Sequence, residues 1–464
     1  MATKNFPPNF VWGTATSSYQ IEGGWNADGK GPSIWDAFTQ IPGRIHEGET
    51  GDVACDHYNR WREDVQLMKQ LGVNAYRFSI AWSRILPDGT SNQVNQAGID
   101  FYSQLIDELL ANGIQPWVTL YHWDLPLALE MEKDGWLNPE IADTFADYAA
   151  VCFEHFGDRV KNWITLNEPW VVAVLGYGQG VFAPGRTSNS EPYLAAHHLL
   201  LAHAKAVQVY RSRFQPTQGG QIGMSNNCDW REPLTDSPAD VEAAQRALEF
   251  FVAWFADPVY HGRYPQCMID RLGDRLPKFS EEEIALLKGS SDFFGLNHYT
   301  TMLAADSGGE VVQGNVYGNG GLSEDQDVVL QQDPAWELTK MQWAVVPWGC
   351  KKLLHWLADR YDNPPIIITE NGGAFPDELK DGQVDDQDRL QFVKSYLTAC
   401  QETIEEGVQL RGYMLWSFMD NFEWASGYSK RFGIHYVDFE TLERIPKASA
   451  VWYSKVIAAN AIVD

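Results

Sequence analysis

Positive charge is what this chain has least of for its size. Across 464 residues, 35 lysines and arginines stand against 62 aspartates and glutamates, a formal net charge of −27. Nucleic-acid binding depends on neutralising phosphates with basic side chains, so this balance argues against nucleic-acid partners and against anionic membrane surfaces. It suits a neutral or cationic small molecule. Cysteine is scarce too. The six lie far apart, Cys228 and Cys267 being the nearest pair, and no Cys-x-x-Cys or Cys/His spacing offers a metal site. They read as buried free thiols of a cytoplasmic protein. His57 and the pair His197-His198 lack the spacings of metal-dependent hydrolases, so neither metal nor cofactor is expected. No apolar run approaches the ~20 residues that span a membrane, and residues 1–10 carry no apolar leader core. A Pro/Ser-rich linker is also missing, which points to one domain over residues 1–464, acting as a monomer or a homo-oligomer.

Flat apolar surface, by contrast, is plentiful: 19 Trp, 19 Tyr and 22 Phe within a hydrophobic content of 44 %. Packing is the ordinary use of such area. Tryptophan in this number also suits stacking against the C–H faces of a sugar ring.

Short apolar runs alternate with amphipathic segments along the whole chain. The strand-like runs are Phe10 to Ala15, Asn74 to Ile80, Ile114 to Leu120, Val160 to Leu166, Gln221 to Asn227, Asp292 to Tyr299, Pro365 to Glu370 and Leu410 to Phe418. Helical spacing lies between them, as in Tyr58 to Gln70, Asn95 to Ala111, Pro139 to Phe156, Pro192 to Phe214, Trp348 to Tyr361 and Asp386 to Glu406. Residues Asp306 to Asp333, rich in Gly, Asp and Gln, read as an irregular excursion. Eight strands in alternation with helices predict an α/β fold, a single (β/α)8 TIM barrel. Polar and aromatic residues gather just after the strand ends, where such barrels place their sites.

Two stretches share one design. Trp163-Ile164-Thr165-Leu166-Asn167-Glu168-Pro169 and Ile366-Ile367-Ile368-Thr369-Glu370-Asn371-Gly372 each carry a carboxylate at the end of a buried run. Burial raises the pKa of such a group, which suits a proton donor near neutral pH. Two acids on two strand ends suggest a pair facing one reaction centre. Two ordinary buried ion pairs would account for the same residues without chemistry.

The segments WGTATSSYQIEG, YHWDLP, TLNEP, ITENG and WSFMDNFEW, in that order, resemble the β-glucosidases of glycoside hydrolase family 1 from about Phe6 to Trp452. The resemblance implies cleavage of small β-glycosides with retention: terminal β-glucosyl residues of cellobiose, short oligosaccharides and aryl glucosides, with β-galactosides and β-fucosides also accepted. It implies Glu168 as acid/base and Glu370 as nucleophile. Glycoside cleavage needs one carboxylic acid for the leaving oxygen and one carboxylate for the anomeric carbon. Asn167 is expected to donate to the sugar 2-hydroxyl, Arg77 to keep Glu370 ionised, and Tyr299, with Asn297 beside it, to orient Glu370. Gln20, His122, Trp123, Glu423 and Trp424 match the sugar pocket, with Gln20 and Glu423 bridging adjacent hydroxyls, His122 donating to another and Trp416 as platform. Trp343 resembles the residue that stacks on the leaving group, and Trp170, Leu175 and Asn226 are entrance candidates. His298 is expected in the wall. Phe432 and Glu423 depart from the pattern of relatives that take phosphorylated sugars, of which only Lys430 is kept. A carbohydrate-binding barrel without catalysis would not need both Glu168 and Glu370.

Overall fold

The structure is a computed structural model that describes residues 5–309 and 320–463. Eight strands close into a barrel: β1 (Val11–Ala15), β2 (Ala75–Ser79), β3 (Gln115–Tyr121), β4 (Asn162–Asn167), β5 (Gln221–Asn227), β6 (Phe294–Asn297), β7 (Ile366–Asn371) and β8 (Leu410–Trp416). Each pairs in parallel with its neighbours in sequence, and β1 closes the ring against β8 through Val11 to Ala15 opposite Gly412 to Trp416. The strands are apolar almost throughout because a barrel buries both faces. Every residue of β2 and β7 is buried. Inside the barrel Trp117, Ile164, Phe293, Ile367 and Met414 fill the floor beneath the strand ends.

The surrounding helices fall where the 3.6-residue periodicity predicts. In α1 (His57–Leu71) the buried positions Trp61, Val65, Met68 and Leu71 form one stripe, and Gly72 ends the helix in the left-handed conformation, φ 83°. Next come α2 (Gln96–Ala111), α3 (Ile141–Phe156), α4 (Glu191–Val209), α5 (Pro238–Leu248), α6 (Pro347–Arg360), α7 (Gln387–Glu405) and α8 (Ala448–Ala459). Among the described residues no helix is long and apolar enough to cross a membrane. All six cysteines are free; five are buried, and Cys267, expected to be buried, is half-exposed.

The excursion holds more order than its composition suggests. Thr301–Asp306 pairs in parallel with Trp230–Pro233 and antiparallel with Val328–Gln331, a three-stranded sheet outside the barrel. These strands are four to six residues long and are brought together from about 70 and 25 residues apart. Within so short a run the period-2 signal is weak, and the ordering comes from pairing that sequence spacing does not reveal. The part of the excursion from 310 to 319 lies outside the described residues.

Candidate active site

The chain turns sharply at the first of the two strand-end acids. After β4, Glu168 takes a left-handed backbone conformation (φ 47°), and its N–H donates to the Ser225 carbonyl at 2.9 Å. Pro169 then opens a short helical turn, Pro169–Val171, a place where a missing N–H costs nothing. Pro169 thus ends the strand and starts the next element. Glu370 still belongs to β7, and its carbonyl accepts from His298 N at 3.0 Å.

One buried network wires the two acids together. Arg77, fully buried on β2, donates to Glu370 Oε1, to the Thr369 carbonyl at 3.0 Å and to Asn167 Oδ1 at 2.6 Å. Tyr299 Oη donates to Glu370 Oε2 at 2.6 Å. Asn297 Nδ2 donates to Glu168 Oε1 at 2.7 Å, while Thr369 Oγ1 donates to Asn297 Oδ1 at 2.6 Å. Glu370 is therefore met by a cation and a phenol, and Glu168 by one neutral amide.

That asymmetry sorts the two acids. Burial raises the pKa of both. For Glu168 the charge of Glu370 raises it further, and the pKa stands well above the carboxylate range. For Glu370 the Arg77 guanidinium and the Tyr299 hydroxyl oppose the burial. Two buried acids this close release their protons as a pair, and the group with the guanidinium is the one that ionises first. The proton stays on Glu168.

Both acids open onto a cavity of about 550 Å³, within the range of small-molecule sites. Of the expected residues, His122, Trp123, Glu168, Asn297, Tyr299, Trp343, Glu370, Trp416, Glu423, Trp424 and Phe432 line it, with Trp170 and Leu175. Trp123 and Trp424 pack at 4.5 Å between ring centroids, and Trp343 stands 5.3 Å from Tyr299. Glu423 is half-buried, with its Oε2 buried and unpartnered; burial, then the Glu370 charge, push its pKa up to about 8. His122 faces Asn167 Nδ2 through Nε2 at 3.0 Å. An amide nitrogen can only donate there, so the imidazole proton sits on Nδ1, which has no partner. Burial, and then Arg77, keep the His122 pKa well below its ordinary value, so the ring is neutral.

Four of the residues singled out in the sequence are not among those lining the cavity. Gln20 is fully buried: its Oε1 accepts from Ser17 Oγ at 2.6 Å, and its Nε2 donates to Asn421 Oδ1 at 3.1 Å and the Phe422 carbonyl at 2.9 Å. It holds the backbone that leads to Glu423. Asn167 is fully buried, its Nδ2 donating to His122 Nε2 at 3.0 Å and its Oδ1 accepting from Arg77 and Asn297. His298 is fully buried and bonds the Cys228 carbonyl, so it backs the wall rather than forming it. Asn226 is buried outside the lining, and its neighbour Asn227 lines the cavity instead. For Asn226, on β5, strand alternation turns its side chain away from the face that Asn227 presents.

Asp229, Phe182, Phe251 and Gln332 line the cavity without having been expected. Asp229 sits just past the end of β5, so the strand-end logic applied to the other acids would have found it. Gln332 belongs to the excursion, where no such signal exists.

The sequence profile of Glycosyl hydrolase family 1 matches residues 2–462. Beta-glucosidase 42 of Arabidopsis thaliana is 50 % identical over 98 % of this chain and 94 % of its own length, and Beta-glucosidase A of Thermotoga maritima is 47 % identical over the whole of both. Among solved structures, a family 1 β-glucosidase from Thermotoga maritima superposes over the whole of both chains with a TM-score of 0.93 at 46 % identity. A rice β-glucosidase mutant in a covalent complex with Glc superposes with a TM-score of 0.92 at 45 % identity, over 97 % of this chain and 98 % of its own.

Proposed function

This chain belongs to glycosyl hydrolase family 1 and is a hydrolase of the β-glucosidase type; from that premise we propose that it releases terminal, non-reducing β-D-glucose by double displacement, with retention. The observation that carries the reading is the division of labour between Glu168 and Glu370: one proton, placed on Glu168, and one carboxylate, held ionised by Arg77 and Tyr299. Glu370 attacks the anomeric carbon while Glu168 gives its proton to the leaving oxygen. The covalent glycosyl ester then forms at Glu370, and Glu168, now a carboxylate, removes a proton from water that attacks from the side the leaving group vacated.

The sugar lies against Trp416 and Trp424, with His122 Nδ1–H and the Glu423 carboxyl offering hydrogen bonds to its hydroxyls. A protonated Glu423 both donates and accepts. It can meet an equatorial or an axial hydroxyl, which supports acceptance of β-galactosides and β-fucosides alongside β-glucosides. Trp343, Trp170 and Leu175 face the leaving group, whose flat stacking surface favours aryl glucosides, cellobiose and short β-linked oligosaccharides. With six free cysteines, the protein is read as cytoplasmic.

Rescue by azide tests the assignment of roles. Glu370→Gly leaves space on the face from which the nucleophile attacks, and azide is expected to restore turnover of an activated aryl β-glucoside with an α-glucosyl azide as product. Glu168→Ala still forms the intermediate from a good leaving group, and azide then attacks it to give the β-azide. Proton NMR of the two products decides; the opposite pairing reverses the roles of Glu168 and Glu370, and no azide product from either removes the double displacement.

A further inference from the structure

We propose that Asp420, which does not line the cavity, is the positioning residue for Glu423: it closes the neck of the loop that carries Glu423 and fastens that neck to the last helix. The inference rests on the reading of Glu423 as a sugar-binding residue. Beyond the end of β8 the chain leaves the barrel, presents Glu423 and Trp424 to the cavity, and returns at Phe432. Its outgoing and returning arms run side by side. Ser417 N donates to the Phe432 carbonyl at 3.3 Å, Ile434 N to Ser417 O at 3.0 Å, His435 N to Phe418 O at 3.1 Å and Asp420 N to His435 O at 2.9 Å. The arms touch so closely at Gly433 that a Cβ there would lie 1.9 Å from the Asp420 nitrogen.

Asp420 is fully buried at this neck and is bonded through both oxygens. Oδ1 accepts from Gly433 N at 3.0 Å and from Lys447 Nζ at 2.7 Å; Oδ2 accepts from Arg431 Nη1 at 2.6 Å. Two of those partners lie on the returning arm, and the third, Lys447, directly precedes α8. Lys447 is itself fully buried and pairs with Asp377, which Arg389 joins to Asp386. Asp386 in turn accepts from the backbone and hydroxyl of Ser449. Three carboxylates and three cations thus balance, and they tie the neck to α7, α8 and the segment around Asp377.

Such a set is a costly way to stabilise a fold, because packed apolar side chains of the same volume serve as well or better. What fixed charges add is a single allowed placement. Here that placement belongs to a loop whose Glu423 faces the cavity with its Oε2 buried and unpartnered. Gln20 holds the loop from the other side at Asn421 and Phe422, so between Gln20 and Asp420 the approach to Glu423 is fixed at two points.

A double-mutant cycle on 4-nitrophenyl β-D-glucoside tests this. Asp420→Asn keeps the shape and removes the charge, and is expected to lower kcat/KM by about tenfold or more, mostly through KM, as displacement of a binding group does. Glu423→Gln lowers kcat/KM on its own, and the double variant is expected to be no worse than Glu423→Gln alone to within about twofold, since coupled residues do not add. Losses that multiply, or an unaffected Asp420→Asn enzyme, overturn the proposal. Should Asp420→Asn fail to fold, Arg431→Met carries the same cycle, as Arg431 is the network's one partly exposed cation, at 21 %. A Glu423→Gln enzyme with unchanged kcat/KM removes the premise about Glu423, and this inference with it, while leaving the roles of Glu168 and Glu370 to the azide experiment.

Discussion

Burial holds the Glu423 carboxyl protonated up to about pH 8, whereas a glutamate in the unfolded chain ionises near 4.3. A group whose folded pKa is raised adds stability that is complete below the unfolded value and is lost as pH rises through the folded one. The wild-type protein therefore gives up this contribution between about pH 4 and pH 8. Glu423→Gln, neutral at every pH, gives up nothing. The melting temperature of the variant minus that of the wild type should be more positive at pH 8 than at pH 5. An equal difference at both would mean that Glu423 is ionised in the folded protein. At this scale the sequence was legible for the acids, whose strand-end positions follow from pattern alone. The contacts of Gln20 and Asn167 were not legible, because a motif places a residue near a site without saying which of its atoms bond within the protein.

Two strand ends meet at Gly372, just beyond β7, where a Cβ would lie 1.7 Å from the Trp416 carbonyl at the end of β8. No side chain fits. Gly372→Ala must push apart the strand that carries Glu370 and the strand that carries Trp416, and both open onto the cavity. The expected outcome is a loss of about tenfold to a hundredfold in kcat/KM on an aryl β-glucoside, since displacement of about 1 Å at a reacting group costs that much. Unchanged kinetics would show that the backbone absorbs the methyl elsewhere. The barrel strands themselves were legible from the sequence because burial on both faces makes each an uninterrupted apolar run between turn residues. The sheet formed by Trp230–Pro233, Thr301–Asp306 and Val328–Gln331 was not, since its strands are defined by partners rather than by their own pattern.

Across the whole molecule, 62 acidic residues against 35 basic ones leave a surplus that repels itself in the compact state. Salt screens that repulsion, with a Debye length of about 10 Å at 0.1 M. Thermal unfolding with increasing NaCl should show a melting temperature that rises or holds; a steady fall across moderate salt would mean that attractive surface pairs outweigh the surplus. Composition alone supports this expectation. It carries no information about which acids are buried, and for the site that is the distinction that counts.

The guanidinium of Arg77 has a consequence for the cycle as a whole. With Glu168 and Glu423 protonated, Glu370 ionised and Asp229 paired with Arg231, it balances the charge of Glu370 beside an uncharged sugar. When Glu370 becomes an ester it loses its negative charge, and in the same step Glu168 acquires one by giving up its proton. The total does not change; the negative charge only crosses from one wall to the other. Hydrolysis of the ester sends it back. No intermediate of the proposed reaction has to carry a net charge into a medium that solvates charge poorly, and the protein never needs to let an ion or bulk water into the cavity to balance one.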